Sequence, residues 1–296
     1  MKLIRVLIVD DSSLVRELIG AILSSDDEIA VVGEAKNGRE AVEKVRQLKP
    51  DIVTMDIEMP VMNGLDAIEE IMANNAVPIL VVTSKSDVNL AYAAISKGAL
   101  EVLSKSEVNP EDYQEFVNKI KLLSQVKVIS HLRGSFHRRE TRVWQRATEV
   151  EKYWFDKVIA IASSTGGPQA LAVILADLPD NFCYPVFIAQ HMSEGFISGM
   201  ATWLGGLTKL KIKVAENGER VSGGIVYLSP PERHMKLNRN NMVALIEREP
   251  KDIYRPSCNI LLHSVASVYG PRSIGVILTG MGSDGVEGMK KIKEAG

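Results

Sequence analysis

Cysteine is almost missing from this chain: Cys183 and Cys258 are the only two in 296 residues. They stand far apart and fit no zinc spacing, so no disulfide framework or finger-type metal site is expected, and a reducing compartment, the cytoplasm, is the expected setting. Excess charge is missing as well. Lys and Arg number 35 against 37 Asp and Glu, a net charge of -2, and so even a balance gives no overall attraction to a polyanion. Nucleic acid is therefore not an expected partner. Nothing near the amino terminus reads as a leader or membrane span: Arg5 interrupts the apolar run, and Asp10 and Asp11 follow at once. That segment reads as a strand, and no membrane insertion is expected. The rest, 46% hydrophobic and 24% charged, has the make-up of ordinary globular domains, and the length suits about two of them.

Residues 1–124 alternate apolar runs with amphipathic segments. Strands are predicted at 4–9, 29–33, 52–55, 79–83 and 100–104, and helices at 13–23, 38–48, 64–72, 88–96 and 110–123. Five βα units in that rhythm predict an α/β domain with a doubly wound parallel sheet. Parallel strands put their carboxyl ends on one edge, so Asp10, Asp11, Asp56, Thr83 and Lys105, each closing a strand, are expected in one crevice. Three carboxylates together repel one another unless a cation sits among them, and oxygen donors alone suit Mg²⁺ better than zinc. A hydroxyl and a lysine beside them suit a phosphoryl group. The plainer alternative is that Asp10 and Asp11 merely cap a helix.

Val9-Asp10-Asp11-Ser12, the stretch 51–64 around Asp56-Ile57-Glu58-Met59-Pro60, Val82-Thr83-Ser84 and Ser104-Lys105 resemble the flavodoxin-like receiver domain of two-component response regulators. The resemblance implies that Asp56 is the phosphoacceptor, that Asp10, Asp11, Asp56 and the main chain of Glu58 hold Mg²⁺, and that Thr83 and Lys105 sense the phosphoryl oxygens. Ser106 departs from the family pattern, which usually has proline after the lysine, often with a cis bond. A cis bond without proline costs about 3 kcal/mol, so either this turn is trans or Lys105 is aimed differently.

The pattern degrades over 125–153, where the basic run from His131 to Trp144 shows no strand alternation. It reads as a solvated interdomain linker, and His131 and His137 within it are poor catalytic candidates because a mobile segment cannot hold a base in reach of its target.

A second domain is expected over 154–296, with strands at 158–162, 185–189, 212–215, 225–228, 242–246 and 273–278 and helices at 169–176, 196–207, 257–268 and 286–294. It reads as another mostly parallel, doubly wound α/β sheet, with Gly223-Gly224 and Pro230 marking a small antiparallel part. Its first strand ends in Ser163-Ser164-Thr165-Gly166-Gly167-Pro168, a strand, tight turn and helix start. Glycines let backbone approach a ligand, Pro168 suits the first helical turn, and the unpaired N–H groups there favour negative charge. His191 and Asp284 follow two other strands. A hydroxyl is a weak nucleophile until a base removes its proton, and the base needs an acceptor on its second nitrogen; Ser164, His191 and Asp284 supply those roles. Their chain order and the lack of a G-x-S-x-G elbow disfavour the α/β-hydrolases. Other readings stand beside this one. Ser164 suits a helix cap or phosphate cradle, although no Walker lysine follows and the dinucleotide fingerprint is fragmentary. His234, read as lying on a loop, is a rival base; His263 reads as structural; Glu287, inside a helix, is a rival acid.

Residues 162–168, Gln190-His191-Met192, Tyr227-Leu228-Ser229-Pro230-Pro231 and Leu278-Thr279-Gly280-Met281-Gly282-Ser283-Asp284-Gly285 together resemble the catalytic domain of chemotaxis protein-glutamate methylesterases, in which a receiver precedes an esterase. The resemblance implies that Ser164 attacks glutamyl γ-methyl esters on chemoreceptor cytoplasmic domains, with His191 as base and acid and Asp284 orienting it. Methanol is released, and some family members also deamidate glutamines. Met281 and the N–H groups near Thr165 are the implied oxyanion donors. Ser163 stands where the family usually has a small residue such as alanine; Ser164 is the expected nucleophile because it directly precedes Thr-Gly-Gly. A chemotaxis histidine kinase is the implied phosphodonor, the receiver is implied to block the esterase until Asp56 is phosphorylated, and no cofactor is expected in the esterase domain. A receiver fused to a non-catalytic receptor-binding module, or to a nucleotide-binding output domain, is the alternative. Because the last helix ends on Gly296 where the family continues, a carboxyl-terminal truncation is expected.

Overall fold

Parallel strand pairing builds both halves of the chain. The computed structural model describes residues 3–84, 88–109, 113–128, 155–249, 252, 254–280 and 282–296. The packing divides into one unit of Met1–His137 and another of Arg138–Gly296. Most of the expected linker, His131 and His137 included, lies outside the described residues.

The first unit alternates β1 (Ile4–Val9), α1 (Ser13–Ser24), β2 (Ile29–Ala35), α2 (Gly38–Leu48), β3 (Ile52–Met55), α3 (Gly64–Asn74), β4 (Ile79–Thr83), α4 (Val88–Ser96), β5 (Glu101–Ser104) and α5 (Gln114–Leu123). Its strands pair in parallel in the order β2-β1-β3-β4-β5. The winding reverses between β1 and β3, and the carboxyl ends of those two strands therefore flank the crevice that such a sheet opens. Strands β3 and β4 are buried on both faces, which accounts for their unbroken apolar runs. On one face, Ile19 and Leu23 of α1 and Phe116, Val117 and Ile120 of α5 share a core with Val6, Ile8, Ile52, Leu80 and Val82. Helices α2 and α3 begin where the Asn37 and Asn63 side chains accept from the N–H groups of Glu40 and Asp66. Helix α5 starts four residues later than predicted; residues 110–112 lie outside the described set.

The second unit contains β6 (Val158–Ser163), α6 (Gly167–Asp177), β7 (Val186–Gln190), α7 (Ile197–Gly205), β8 (Lys211–Val214), β9 (Ile225–Leu228), β10 (Arg233–Leu237), β11 (Val243–Glu247), α8 (Cys258–Tyr269), β12 (Ser273–Ile277) and α9 (Val286–Glu294). Its parallel sheet runs β12-β6-β7-β9-β8, and β10 and β11 form a separate antiparallel pair. Small residues Ala160, Ala162 and Ala189 line the core that α8 fills with Leu261, Leu262 and Val265. In the same core the Phe187 and Tyr227 rings stack 5.3 Å apart, an arrangement worth about 1 kcal/mol beyond its burial. The expected antiparallel part exists, but it lies in β10 and β11, while the strand after Gly223-Gly224 joins the parallel sheet. Strand β10 was not predicted. Buried neighbours His234 and Met235 break its period-two pattern, and that alternation is the signal by which a half-buried strand is read. Among the described residues no helix is long and apolar enough to cross a membrane.

Candidate functional site

In the first unit the strand ends bring Asp10, Asp11, Asp56 and Lys105 together. Carboxylate oxygens of the three aspartates lie within 4.8 Å of one another. Asp10 and Asp56 are buried, and each has one oxygen held by a main-chain N–H, from Ser12 at 2.9 Å and Ile57 at 2.8 Å. Lys105 Nζ donates to Asp56 Oδ2 at 2.8 Å and stands 2.8 Å from Asp10 Oδ2. Asp10 Oδ2 nonetheless has no well-angled hydrogen bond. Burial lifts the Asp56 carboxyl above the usual range; Lys105 and the Ile57 N–H pull it down, Asp10 pushes it up again, and the net direction is upward. Burial lowers the Lys105 ammonium, but its ion pairs with Asp10 and Asp56 outweigh that and hold its pKa above normal. Three clustered carboxylates that offer only oxygen donors are the chemistry of a hard-cation site, and Mg²⁺ fits these donors. Glu58 lines, with Asp11, Ile57, Met59 and Asn63, an adjoining cavity of about 450 Å³. Thr83 closes β4 fully buried, in register with Ser104 on β5.

The Lys105-Ser106 bond is trans. Residues Lys105–Glu107 form a 3₁₀ turn in which Ser104 Oγ lies 2.8 Å from Ser106 Oγ and accepts from its N–H at 3.4 Å. Two serines thus shape the turn that proline usually shapes, and Lys105 still reaches Asp56.

In the second unit, β6, β7 and β12 end side by side. Ser163 pairs with Gln190, His191 N donates to Ser163 O at 2.9 Å, and Ser164 N donates to Thr279 O at 3.0 Å. Ser164 therefore sits between the ends of β7 and β12, directly before the turn into α6. Gly166 takes the left-handed conformation there, φ 73°, which glycine adopts without strain. The two serines divide sharply. Ser163 is buried and its hydroxyl donates to Gln190 Oε1 at 2.7 Å. Gln190, also buried, donates from Nε2 to the carbonyls of Ser164 and His191, each at 2.8 Å. One amide thus fixes the main chain on both sides of the site. Thr165 is buried in the turn, its carbonyl accepting from Thr279 Oγ1 at 3.0 Å. Met281 lies outside the described residues.

His191 Nε2 lies 2.8 Å from Asp284 Oδ2. Asp284 sits on the N-terminus of α8: it accepts from the N–H groups of Cys258 at 2.6 Å and Asn259 at 2.9 Å and from Ser257 Oγ at 3.1 Å. Burial raises this carboxyl, yet the bonds from His191, Asn259 and Cys258 together hold it below the usual carboxylate range. An ionised Asp284 keeps the ring proton on Nε2 and leaves the lone pair on Nδ1. Tyr254 stacks on the imidazole, ring centroids 5.0 Å apart, and Cys258 Sγ approaches Nε2 at 3.4 Å.

The rival residues separate cleanly. His234 is on strand β10, not on a loop; it is buried, bonded to Asp252 at 3.0 Å and accepting the Ser257 N–H at 3.0 Å. It thereby braces the start of α8, the helix whose first amides hold the Asp284 carboxylate. Glu287 is exposed on α9 and pairs with Lys290 at 2.6 Å. His263 is exposed on α8. Gln190, Ser257, Cys258 and Tyr254 were not singled out as site residues from sequence; Ser257 carries a legible helix-cap signal, but nothing in it points to Asp284.

Comparison with known proteins follows the same division. The CheB methylesterase family matches residues 159–296, and the response regulator receiver domain family matches residues 6–118. The chain is 47% identical over 99% of its length, and 84% of the relative's, to "Protein-glutamate methylesterase/protein-glutamine glutaminase 3" of Paramagnetospirillum magneticum. It is 40% identical, with 99% and 84% covered, to the enzyme numbered 2 of the same name in Anaeromyxobacter dehalogenans. Among solved structures, the Thermotoga maritima CheB methylesterase catalytic domain is 39% identical, covering 47% of this chain and 75% of that one, with a TM-score of 0.46. With relatives this similar along nearly its whole length, the chain belongs to the protein-glutamate methylesterase/protein-glutamine glutaminase family, a receiver domain followed by a CheB methylesterase domain.

Proposed function

We propose that the chain is a phosphorylation-gated protein-glutamate methylesterase that also deamidates glutamine, acting in the cytoplasm on chemoreceptor cytoplasmic domains. The observation that carries this reading is the 2.8 Å His191–Asp284 bond at strand ends adjacent to Ser164. With the ring proton committed to Asp284, Nδ1 takes the Ser164 proton as Oγ attacks the glutamyl carbonyl. The protonated ring then gives that proton to the leaving group, releasing methanol from an ester or ammonia from an amide. Water, deprotonated by the same nitrogen, hydrolyses the acyl-serine. The negative charge of the tetrahedral oxygen falls at the N-terminus of α6, where the Thr165 N–H and the helix dipole favour it; Met281 N–H is the second donor in this reading. One such donor is worth roughly 3 kcal/mol.

In the receiver, Asp56 accepts a phosphoryl group from a histidine kinase. Asp10, Asp11, Asp56 and the main-chain oxygen of Glu58 would hold Mg²⁺, which when bound screens the clustered negative charge. Thr83 and Lys105 respond to the phosphoryl oxygens, and the altered charge is passed on as a population shift toward active enzyme. The reading needs no cofactor in the second unit. Ser164→Ala is expected to abolish methanol release from methylated receptor; full release by that variant refutes the mechanism.

A further inference from the structure

We propose that His191 Nε2, Cys258 Sγ and one oxygen of Asp284 form a binding site for a thiophilic divalent cation of the zinc class, and that the bound ion switches the esterase off. The switch rests on the esterase reading, whereas the site does not. Cys258 and His191 have no zinc-like spacing in sequence. The fold supplies it, bringing the end of β7, the first residue of α8 and the loop after β12 together so that the three donor atoms lie within 4.8 Å of one another. Sγ and Nε2 are 3.4 Å apart, and Nε2 and Oδ2 are 2.8 Å apart. A tetrahedral zinc ion, with bonds of about 2.0 Å to nitrogen or oxygen and 2.3 Å to sulfur, spaces such donors at about 3.3–3.5 Å. The Sγ–Nε2 spacing already matches, and the Nε2–Oδ2 spacing falls short by about half an ångström.

The donor types agree with the geometry. Imidazole, thiolate and carboxylate select a borderline-soft ion over Mg²⁺. Asp284 Oδ1 keeps its bonds to Asn259 N and Ser257 Oγ, which orient the carboxylate as an outer shell does around bound zinc. The His191 side chain is 15% exposed, so a water can complete the fourth position. Protons balance simply: the thiol proton leaves to solvent, and the single ring proton moves from Nε2 to Nδ1 as the metal takes Nε2. The nitrogen that serves as base toward Ser164 is then an N–H, and it accepts nothing.

The test uses the full chain with Mg²⁺ in excess, which fills the carboxylates of the receiver, and Co²⁺ as the spectroscopic probe. A thiolate-to-cobalt charge-transfer band is expected to saturate at one ion per chain in the wild type and in Cys183→Ser, and to be absent from Cys258→Ala. Zn²⁺ is expected to displace that band and to lower methanol release at least tenfold in the wild type. In Cys258→Ala the rate should fall less than twofold from its own metal-free value. No band in the wild type, or a band retained in Cys258→Ala, overturns the site. A saturated site with undiminished release overturns the switch. A chain that shows the band but releases no methanol even with chelator upholds the site and refutes the esterase reading instead.

Discussion

One methyl group added at Gly167 should unseat the catalytic turn. Gly167 opens α6 and is not among the glycines with positive φ, so alanine there suffers no backbone strain. Space is the obstacle: a Cβ would run into Gln190 Oε1 and lie 2.9 Å from Ser163 Cβ. Displacing the buried amide breaks its three hydrogen bonds, to Ser163 Oγ at 2.7 Å and to the carbonyls of Ser164 and His191 at 2.8 Å each. At about 1 kcal/mol each these amount to roughly 3 kcal/mol, offset by the roughly 0.5–1 kcal/mol that alanine gains over glycine in a helix. A net loss of about 2 kcal/mol corresponds to a Tm drop of roughly 4–8 °C for a unit of this size. Because misplacement by about 1 Å can cost on the order of 100-fold in rate, methanol release should fall by a similar factor. Calorimetry of the second-unit transition and a methanol assay read both effects. Gly205→Ala, where nothing lies within 4 Å of the new Cβ, is the control expected to be neutral or stabilising. A Gly167→Ala protein within 1 °C and twofold of wild type would falsify the claim that Gln190 pins the turn.

Three further outcomes are expected. Ser163→Ala should lose roughly 1 kcal/mol, one hydrogen bond, yet keep methanol release within tenfold; a folded Ser163→Ala protein as inactive as Ser164→Ala would reassign the nucleophile. Asp284 has a depressed folded pKa, so its stabilisation is present above the unfolded value of about 3.9 and lost as pH falls through the folded one. The second unit should thus destabilise steeply below about pH 4, and Asp284→Asn should flatten that slope; equal slopes would show that the carboxylate is not held as described. Asp56 has the opposite sign: its folded pKa is raised, so stability is lost as pH rises through it, and at neutral pH the ionised group opposes folding. Mg²⁺ at 100 times its Kd should stabilise the first unit by about 2.7 kcal/mol, whereas Asp56→Asn should stabilise the metal-free unit, respond less to Mg²⁺, and lose phosphodonor-stimulated methanol release. Wild-type-like stimulation of Asp56→Asn would refute the gate.

The first unit was legible because every signal repeats. Strands such as 52–55 and 79–83 are buried on both faces and read as short apolar runs, and each ends at a polar residue that the parallel topology carries to one edge. In the second unit the same logic located Ser164, His191 and Asp284 at strand ends. It did not separate Ser163 from Ser164 by environment, since adjacent residues on a strand face opposite ways and sequence alone does not say which face meets solvent. The sequence assigns Gln190 no role, because its importance lies in three bonds, two of them to Ser163 and Ser164 on another strand end. Cys258 escaped for a similar reason, since its approach to His191 depends on α8 docking against β6 and β7. His234 was misplaced on a loop because a buried polar residue within a strand mimics the composition of a turn.

The seat of Asp284 on α8 has a practical corollary. The amides of Cys258 and Asn259 have no intrahelical acceptor so near the helix start, and a side chain from the loop after β12 covers both. Their hydrogen–deuterium exchange is consequently controlled by whether Asp284 is in place. Two adjacent amide signals in an NMR spectrum thus record how often the acid leaves the histidine, at rest and without substrate, and offer a clock for active-site opening that no turnover measurement supplies.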